Sequence, residues 1–182
     1  DSATIGMGLA VADKNVLTLF IKSLIDNDVR LSLDASALIS DVLPFLANKN
    51  AVVTPHAGEF KRLFGESPPD SQKDRIKMVE KYAKKNSLTV LLKGSTDLIS
   101  DGKTTYLNPK KIPAMTVGGT GDVLSGIVAS FLSRSRNSLE SACAGAYVNG
   151  LAGKLAQKKL GLHITSVGPF SRIETEFSFA NF

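Results

Sequence analysis

The 182-residue chain has very little cysteine, since Cys143 is the single one. A lone cysteine excludes a disulfide framework within the chain and is consistent with a reducing compartment. It lies in the small-residue run 141–145, which offers neither the base nor the cation that a reactive thiol needs. We therefore predict that Cys143 packs within a helix and is not a nucleophile.

Long apolar runs are also missing from the sequence. No run approaches the roughly 20 residues that a membrane-spanning helix requires. The chain does not open with the basic, apolar and small-residue regions of a signal peptide. We expect a cytoplasmic protein with no membrane partner.

Clustered charge of one sign is the third feature that the chain lacks. The 22 Lys and Arg residues and 17 Asp and Glu residues give a net charge of +5, and aromatic residues make up only 7%. A nucleic-acid-binding face usually combines clustered basic residues with aromatic ones, whereas the lysines here are scattered in pairs such as Lys84-Lys85. We expect no nucleic-acid partner, and the modest charge suits either a phosphorylated small molecule or ordinary solvated lysines.

Short apolar runs alternate with amphipathic stretches along most of the chain. The predicted strands are 3–5, 31–33, 51–54 and 89–92. The predicted helices are 15–25, 38–46, 71–86, 122–132 and 139–160. Strand followed by helix, repeated, predicts a parallel sheet with helices on both faces.

The alternation is interrupted once, at residues 98–106. There Asp101-Gly102 stands between two β-prone runs, which indicates a tight hairpin. We therefore predict one α/β domain over residues 1–182, with a mostly parallel central sheet and an antiparallel hairpin at its edge.

A glycine-rich turn runs from Gly118 to Gly121 and is followed by Asp122 and an apolar helical segment. Its backbone N–H groups and the helix start could hold an anion, and Asp122 could then accept a proton from an attacking hydroxyl. The alternative is a tight turn in which Asp122 only caps the helix. The loop alone does not decide between the two readings.

Four other segments follow predicted strands and are polar or rich in glycine: residues 6–9, 34–37, 54–59 and 93–97. Ligands bind beyond the carboxyl ends of parallel strands, so these segments are expected to converge with the glycine loop. The familiar nucleotide motifs do not apply. The loop lacks the Lys-Ser/Thr ending of a P-loop, and Val11 stands where a dinucleotide fingerprint needs its third glycine.

Three motifs in this order resemble the NAD(P)H-hydrate dehydratases of the ribokinase-like superfamily. They are Thr54-Pro55-His56-x-Gly58-Glu59, Lys93-Gly94 and Gly118-Gly119-Thr120-Gly121-Asp122-Val123-Leu124-x-Gly126. The resemblance spans essentially the whole chain, and it implies a ribokinase-like three-layer sandwich. It covers about the C-terminal two-thirds of that family's domain, so an N-terminal portion is expected to be absent from this sequence.

The resemblance also implies site residues. Asp122 would be the catalytic base, and the amides of Gly119, Thr120 and Gly121 would form the anion hole. Residues expected to bind the nucleotide are Lys93, Gly94, Ser95, Thr96, Asp97, Gly121 and Asn149. Gly8 and His56, together with Asp122, would face the substrate, and Glu59 would order Mg²⁺ through water.

The implied activity is the ADP- or ATP-dependent dehydration of hydrated NADH or NADPH, in a homo-oligomeric enzyme. One alternative is a kinase of the same fold for a hydroxymethylpyrimidine or thiazole, against which His56 argues because those kinases usually place Asn there. The other is a non-catalytic module that binds an adenine nucleotide. Asp122 argues against it, since a carboxylate beside phosphate does not help binding. The sequence departs from the family pattern at Ala10, Ser36 and Asn149, where Gly, Asp and His are usual.

Overall fold

The computed structural model describes residues 1–10, 12–110 and 112–161. The strands are β1 (Ser2–Ile5), β2 (Arg30–Leu33), β3 (Ala51–Val53), β4 (Thr89–Leu92), β5 (Thr96–Ser100) and β6 (Thr105–Pro109). The helices are α1 (Lys14–Asp26), α2 (Leu43–Leu46), α3 (Ala57–Phe64), α4 (Gln72–Asn86), α5 (Thr120–Arg134) and α6 (Ser138–Leu160). Short 3₁₀ turns lie at Ala35–Ala37, Ser40–Val42 and Pro113–Met115.

The six strands form one sheet in the order β1-β2-β3-β4-β5-β6. Strands β1 to β4 are parallel, with Ile5 opposite Leu33 and Leu33 opposite Val53. Strands β5 and β6 run antiparallel at the edge. The predicted parallel sheet and edge hairpin are both confirmed.

Helices cover both faces of this sheet because side chains alternate along each buried strand. On one face, Leu33 and Val53 pack with α1, α2, α3 and α4 in the larger apolar cluster. On the other face, Val52 and Leu91 pack with α5 and α6. The result is the predicted arrangement of three layers.

One helical expectation was inaccurate, and one helix was not predicted. The single helix expected at 38–46 is wrong, because the segment forms one 3₁₀ turn at Ser40–Val42 and a four-residue α-helix, α2. Arg62 of α3 donates to the carbonyl oxygens of Leu38 and Ala35, which holds the preceding 3₁₀ turn, Ala35–Ala37. The sequence also did not predict α3 itself.

Helices α5 and α6 pack closely. A Cβ on Gly145 of α6 would lie 2.5 Å from Cγ2 of Val128 on α5, so only glycine permits this contact. Cys143 of α6 is half-buried against the same cluster, as expected. Burial, with a smaller effect from Glu140, raises the pKa of its thiol to about 11, so the thiol stays protonated at neutral pH.

An apolar groove of about 690 Å³ runs between β1 and α1 at the parallel edge of the sheet. Val16 and Phe20 of α1 line it, with 63% and 53% of their surfaces exposed. Among the described helices, none combines the length and apolar character needed to cross a bilayer.

Candidate active site

A cleft of about 420 Å³ opens at the carboxyl ends of the central strands. Asp34 follows β2, His56 follows β3 and Lys93 follows β4, and all three side chains line it. The glycine loop 118–121 and Asp122 line the same cleft. The expected convergence of strand ends with the glycine loop is therefore observed.

Helix α5 begins at the glycine loop without a side-chain cap. Its N-cap residue is Gly119, with a φ of +89° that glycine adopts freely, and no side chain caps the helix there. The Thr120 hydroxyl donates instead to the carbonyl oxygens of Met115 and Val117, both at 3.1 Å. The first backbone N–H groups of the helix are thus left for another partner.

Asp122 lies in the first turn of α5 and is exposed in the cleft. The alternative reading, in which this carboxylate caps the helix, is therefore not what the structure shows. A charged carboxylate at the edge of a cleft is placed to accept a proton from a ligand.

The floor of the cleft holds a buried ion-pair cluster. Nζ of Lys93 lies 2.6 Å from Oδ1 of Asp34 and 3.4 Å from Oε2 of Glu59. The side chains of Lys93, Asp34 and Glu59 are 16%, 2% and 11% exposed, so each charge depends on its partners for compensation. A Cβ on Gly121 would lie 3.2 Å from Nζ of Lys93, which places this ammonium directly beside the glycine loop.

His56 and Glu59 form a capping box at the start of α3. Nδ1 of His56 accepts from the backbone N–H groups of Gly58 at 3.0 Å and Glu59 at 3.3 Å. The Glu59 carboxylate accepts in return from the His56 backbone N–H at 2.8 Å. His56 therefore has a structural role, yet its side chain remains 60% exposed at the cleft.

A second buried ion pair joins Asp97 to Lys110, which itself lines the cleft. Asp97 is fully buried and accepts from Nζ of Lys110 at 2.8 Å, from the Gly94 backbone N–H at 3.1 Å and from the Asn108 amide at 3.3 Å. These bonds tie the turn after β4 to strand β6. Asp97 therefore holds the local backbone of the predicted nucleotide segment.

The structure brings most of the predicted site residues to one cleft. Those that line it are Lys93, Gly94, His56, Glu59, Gly119, Thr120, Gly121, Asp122 and Asn149. Those outside its lining are Gly8, Ser95, Thr96 and Asp97. Gly8 lies in the turn after β1, and Thr96 and Asp97 begin β5. Their predicted contacts remain predictions.

Lys110 and Met115 line the cleft although the sequence did not point to them. The sequence shows Lys110 only as half of a scattered lysine pair, and no motif distinguishes Met115. Asp34 follows a predicted strand, which was the one available signal for its place in the cleft.

Asn149 of α6 is 2% exposed and lines the cleft. Its Oδ1 atom is buried without a hydrogen-bond partner in the described part of the chain. A buried polar atom in this state is uncommon in folded proteins and calls for an explanation.

The donor set of the cleft suits Mg²⁺ in kind, since Asp34 and Glu59 supply carboxylate oxygens. Over the described ranges, no group of three or more His, Cys, Asp and Glu side chains gathers to enclose a metal ion. Both carboxylates also contact Lys93. The residues therefore fit a magnesium ion held mainly by ligand phosphates, with protein contact through one or two carboxylates or their waters.

Comparison with known proteins identifies the family of this chain. The model of the NAD(P)H-hydrate dehydratase family matches residues 1–173. An ADP-dependent (S)-NAD(P)H-hydrate dehydratase of Nitrosopumilus maritimus is 69% identical over 175 residues, covering 96% of this chain and 61% of the relative. The enzyme of the same description from Cenarchaeum symbiosum is 56% identical over 184 residues, with 96% and 64% covered.

Among solved structures, the chain is similar to the ADP/ATP-dependent NAD(P)H-hydrate dehydratase of Bacillus subtilis co-crystallised with ATP and Mg²⁺. The TM-score is 0.80 at 24% identity, with 97% of this chain and 64% of that one covered, which confirms the ribokinase-like fold. The chain thus spans less than two-thirds of the length of these relatives. The family model covers nearly all of the sequence, and the chain therefore belongs to the NAD(P)H-hydrate dehydratase family.

Proposed function

We propose that this protein dehydrates hydrated NADH or NADPH with a nucleoside diphosphate or triphosphate as phosphoryl donor. The observation that carries the proposal is the position of Asp122. Its carboxylate is exposed in the cleft, in the first turn of a helix whose N-terminal amides have no side-chain cap. Anion-binding amides beside a free base are the two parts that phosphoryl transfer to a hydroxyl needs.

In the first step, the Asp122 carboxylate accepts the proton of the hydroxyl group on the hydrated nicotinamide ring. The hydroxyl oxygen forms a bond to the terminal phosphorus of the donor, and the bond from that phosphorus to the leaving nucleotide oxygen breaks. The amides of the loop 119–121 stabilise the charge on the transferring group. One well-placed donor of this kind contributes about 3 kcal/mol.

In the second step, the ring carbon–oxygen bond breaks and inorganic phosphate leaves. The ring nitrogen donates electrons to the carbon that loses the phosphate, and the adjacent carbon gives up a proton. The double bond is restored, and the products are NADH or NADPH, phosphate and the shortened nucleotide. No net oxidation or reduction occurs, so no electron carrier is required.

The position of the Lys93 ammonium also supports binding of the donor phosphates at the glycine loop. It lies beside Gly121 and is held there by Asp34 and Glu59, so a cation faces the place where donor phosphates meet the loop. Mg²⁺ would neutralise phosphate charge when bound, and Glu59 with Asp34 would hold its waters. The two archaeal relatives are described as ADP-dependent, which favours ADP as donor.

The test compares Asp122→Asn with the wild-type protein. With hydrated NADH and ADP, the wild-type protein should regenerate the absorbance of reduced nicotinamide, and Asp122→Asn should lower the rate by about 10²- to 10⁴-fold. Nucleotide binding should persist, because the substitution removes a base and no anion-binding group. Asp74→Asn is a matched control, since Asp74 is also exposed in the first turn of a helix that lacks a side-chain cap.

Two results would contradict the proposal. One is a wild-type protein that regenerates no reduced nicotinamide with either ADP or ATP. The other is phosphorylation of a pyrimidine or thiazole alcohol in its place, which would establish the kinase alternative. The predicted cytoplasmic location and homo-oligomeric state remain predictions, and light scattering tests the second.

A further inference from the structure

Asn149 occupies a fixed position between two close packing contacts of α6. Gly145, Asn149 and Gly153 are spaced four residues apart and so share one face of the helix. Val128 of α5 packs on Gly145, and Met115 packs on Gly153, where a Cβ would lie 2.0 Å from the Met115 Sδ atom. The Asn149 side chain is thereby held at the cleft between α5 and the turn that precedes the glycine loop.

The free oxygen of this side chain requires a donor from outside the described structure. Oδ1 of Asn149 is buried without a partner, although Asn149 lines a cleft large enough for a ligand. A buried acceptor left unpaired loses the stabilisation that water gave it in the unfolded chain. Since the cleft is where a ligand enters, an N–H donor of the ligand is the simplest partner.

The lining of the cleft combines charged and apolar groups. The glycine loop, Lys93 and Asp122 supply the polar groups, where phosphates and the reacting hydroxyl belong. Met115 also lines the cleft and packs on Gly153, four residues along α6 from Asn149, so apolar surface lies near the Asn149 amide. A flat ring with polar edges suits a carboxamide beside apolar surface, and the base of a nucleotide whose phosphates lie at the loop fits that description.

We propose that the Asn149 amide recognises the edge of adenine that carries the exocyclic amino group, and so selects adenine over other purine bases. This inference rests on the proposed function, because it concerns the donor nucleotide of the same cleft. A carboxamide presents one acceptor and one donor. The edge meant is the one formed by N6 and N7, where adenine presents the complementary donor and acceptor, whereas hypoxanthine and guanine present two acceptors, O6 and N7.

The test measures equilibrium binding of ADP and of inosine diphosphate, in which a carbonyl oxygen replaces the amino group. The wild-type protein should bind ADP about 10- to 100-fold more tightly than inosine diphosphate. Asn149→Leu should reduce this ratio to about threefold or less, mainly by weakening ADP. Purine riboside diphosphate lacks the amino group. It should bind the wild-type protein more weakly than ADP does, whereas Asn149→Leu should bind it and ADP equally well.

Stability in the absence of nucleotide separates recognition from a structural role. Asn149→Leu removes an unpaired buried polar atom and keeps a similar volume, so the urea midpoint should stay the same or rise. A falling midpoint would show that Asn149 holds the fold and would overturn the proposal. Asn149→Ala provides a second variant, and it should also lose the preference. Asn27→Leu is the control, because Asn27 is exposed at the end of α1, outside the cleft, and should keep the wild-type ratio.

The outcomes also separate this inference from the proposed function. A wild-type protein that binds ADP and inosine diphosphate equally overturns the role of Asn149 and leaves the dehydratase proposal intact. The same conclusion follows if the variants keep the full preference for ADP. Failure of the wild-type protein to bind any adenine nucleotide overturns both.

Discussion

The molecule has two glycine-rich turns, one after β1 and one before α5, and they contain glycine for different reasons. In the turn after β1, a Cβ on Gly6 would lie 1.8 Å from the Asp34 carbonyl oxygen, and φ is +123°. In the loop before α5, a Cβ on Gly118 would meet none of the described atoms within 4 Å. The first glycine is required by the packing of the chain on itself. The second leaves open space in a cleft, which is what close approach of a ligand requires.

Gly6→Ala tests this comparison with the largest expected effect on stability. The added Cβ collides with backbone and cannot be relieved by a side-chain rotation, so we expect a loss of about 3 to 5 kcal/mol in the free energy of unfolding. Urea denaturation measures it. Gly8→Ala in the same turn is the control, because Gly8 has a positive φ but open space around it and should cost only about 1 kcal/mol. Equal losses would show that conformation alone explains both glycines.

Gly121 has less space around an added Cβ than Gly118 but more than Gly6, so Gly121→Ala should have an intermediate effect. Its Cβ would approach Nζ of Lys93 to 3.2 Å, and this flexible side chain can move by a few tenths of an ångström. The free energy of unfolding should therefore change by less than about 1 kcal/mol, helped by the better helix propensity of alanine. Displacement of the ammonium should weaken ADP binding about tenfold. Calorimetry measures the affinity for ADP. An unchanged affinity would show that Lys93 does not contact the nucleotide.

Gly118→Ala should have the smallest effect on the free energy of unfolding, and it tests whether the open space at Gly118 serves the ligand. Its φ lies outside the left-handed region and space is available, so alanine should keep or raise the free energy of unfolding, by up to about 0.5 kcal/mol. The same methyl group projects into the open space of the cleft and should weaken ADP binding about tenfold. A variant with wild-type affinity would show that the ligand does not approach Gly118.

The sequence alone predicts the sheet, the edge hairpin and the long helices well, because their patterns are local. The segment after Asp34 shows the limit of such reasoning. The apolar spacing of 38–46 favours a helix, but Arg62 of α3 donates to the carbonyl oxygens of Ala35 and Leu38 and so stabilises the 3₁₀ turn Ala35–Ala37 that precedes it. Helix α3 escaped prediction because its capping box uses His56 where serine or threonine is usual.

The site shows the same division between local and distant information. The glycine loop and the two strand-end motifs carry their chemistry in adjacent residues, so they could be found from sequence. The pairing of Lys93 with Asp34 joins residues 59 positions apart, and no local pattern contains it. The unpaired oxygen of Asn149 depends on the packing of α5, α6 and Met115, which only the folded structure provides.

The sequential order of the strands has a consequence for how the molecule folds. Each strand pairs with the one that precedes it in the chain, so the sheet can grow from β1 to β6 through contacts of short separation. Helix α5 is different, since it returns to pack on β1 and β2. We therefore expect the segment that carries Asp122 to dock after β1 and β2 have paired, so that the cleft is completed late in folding.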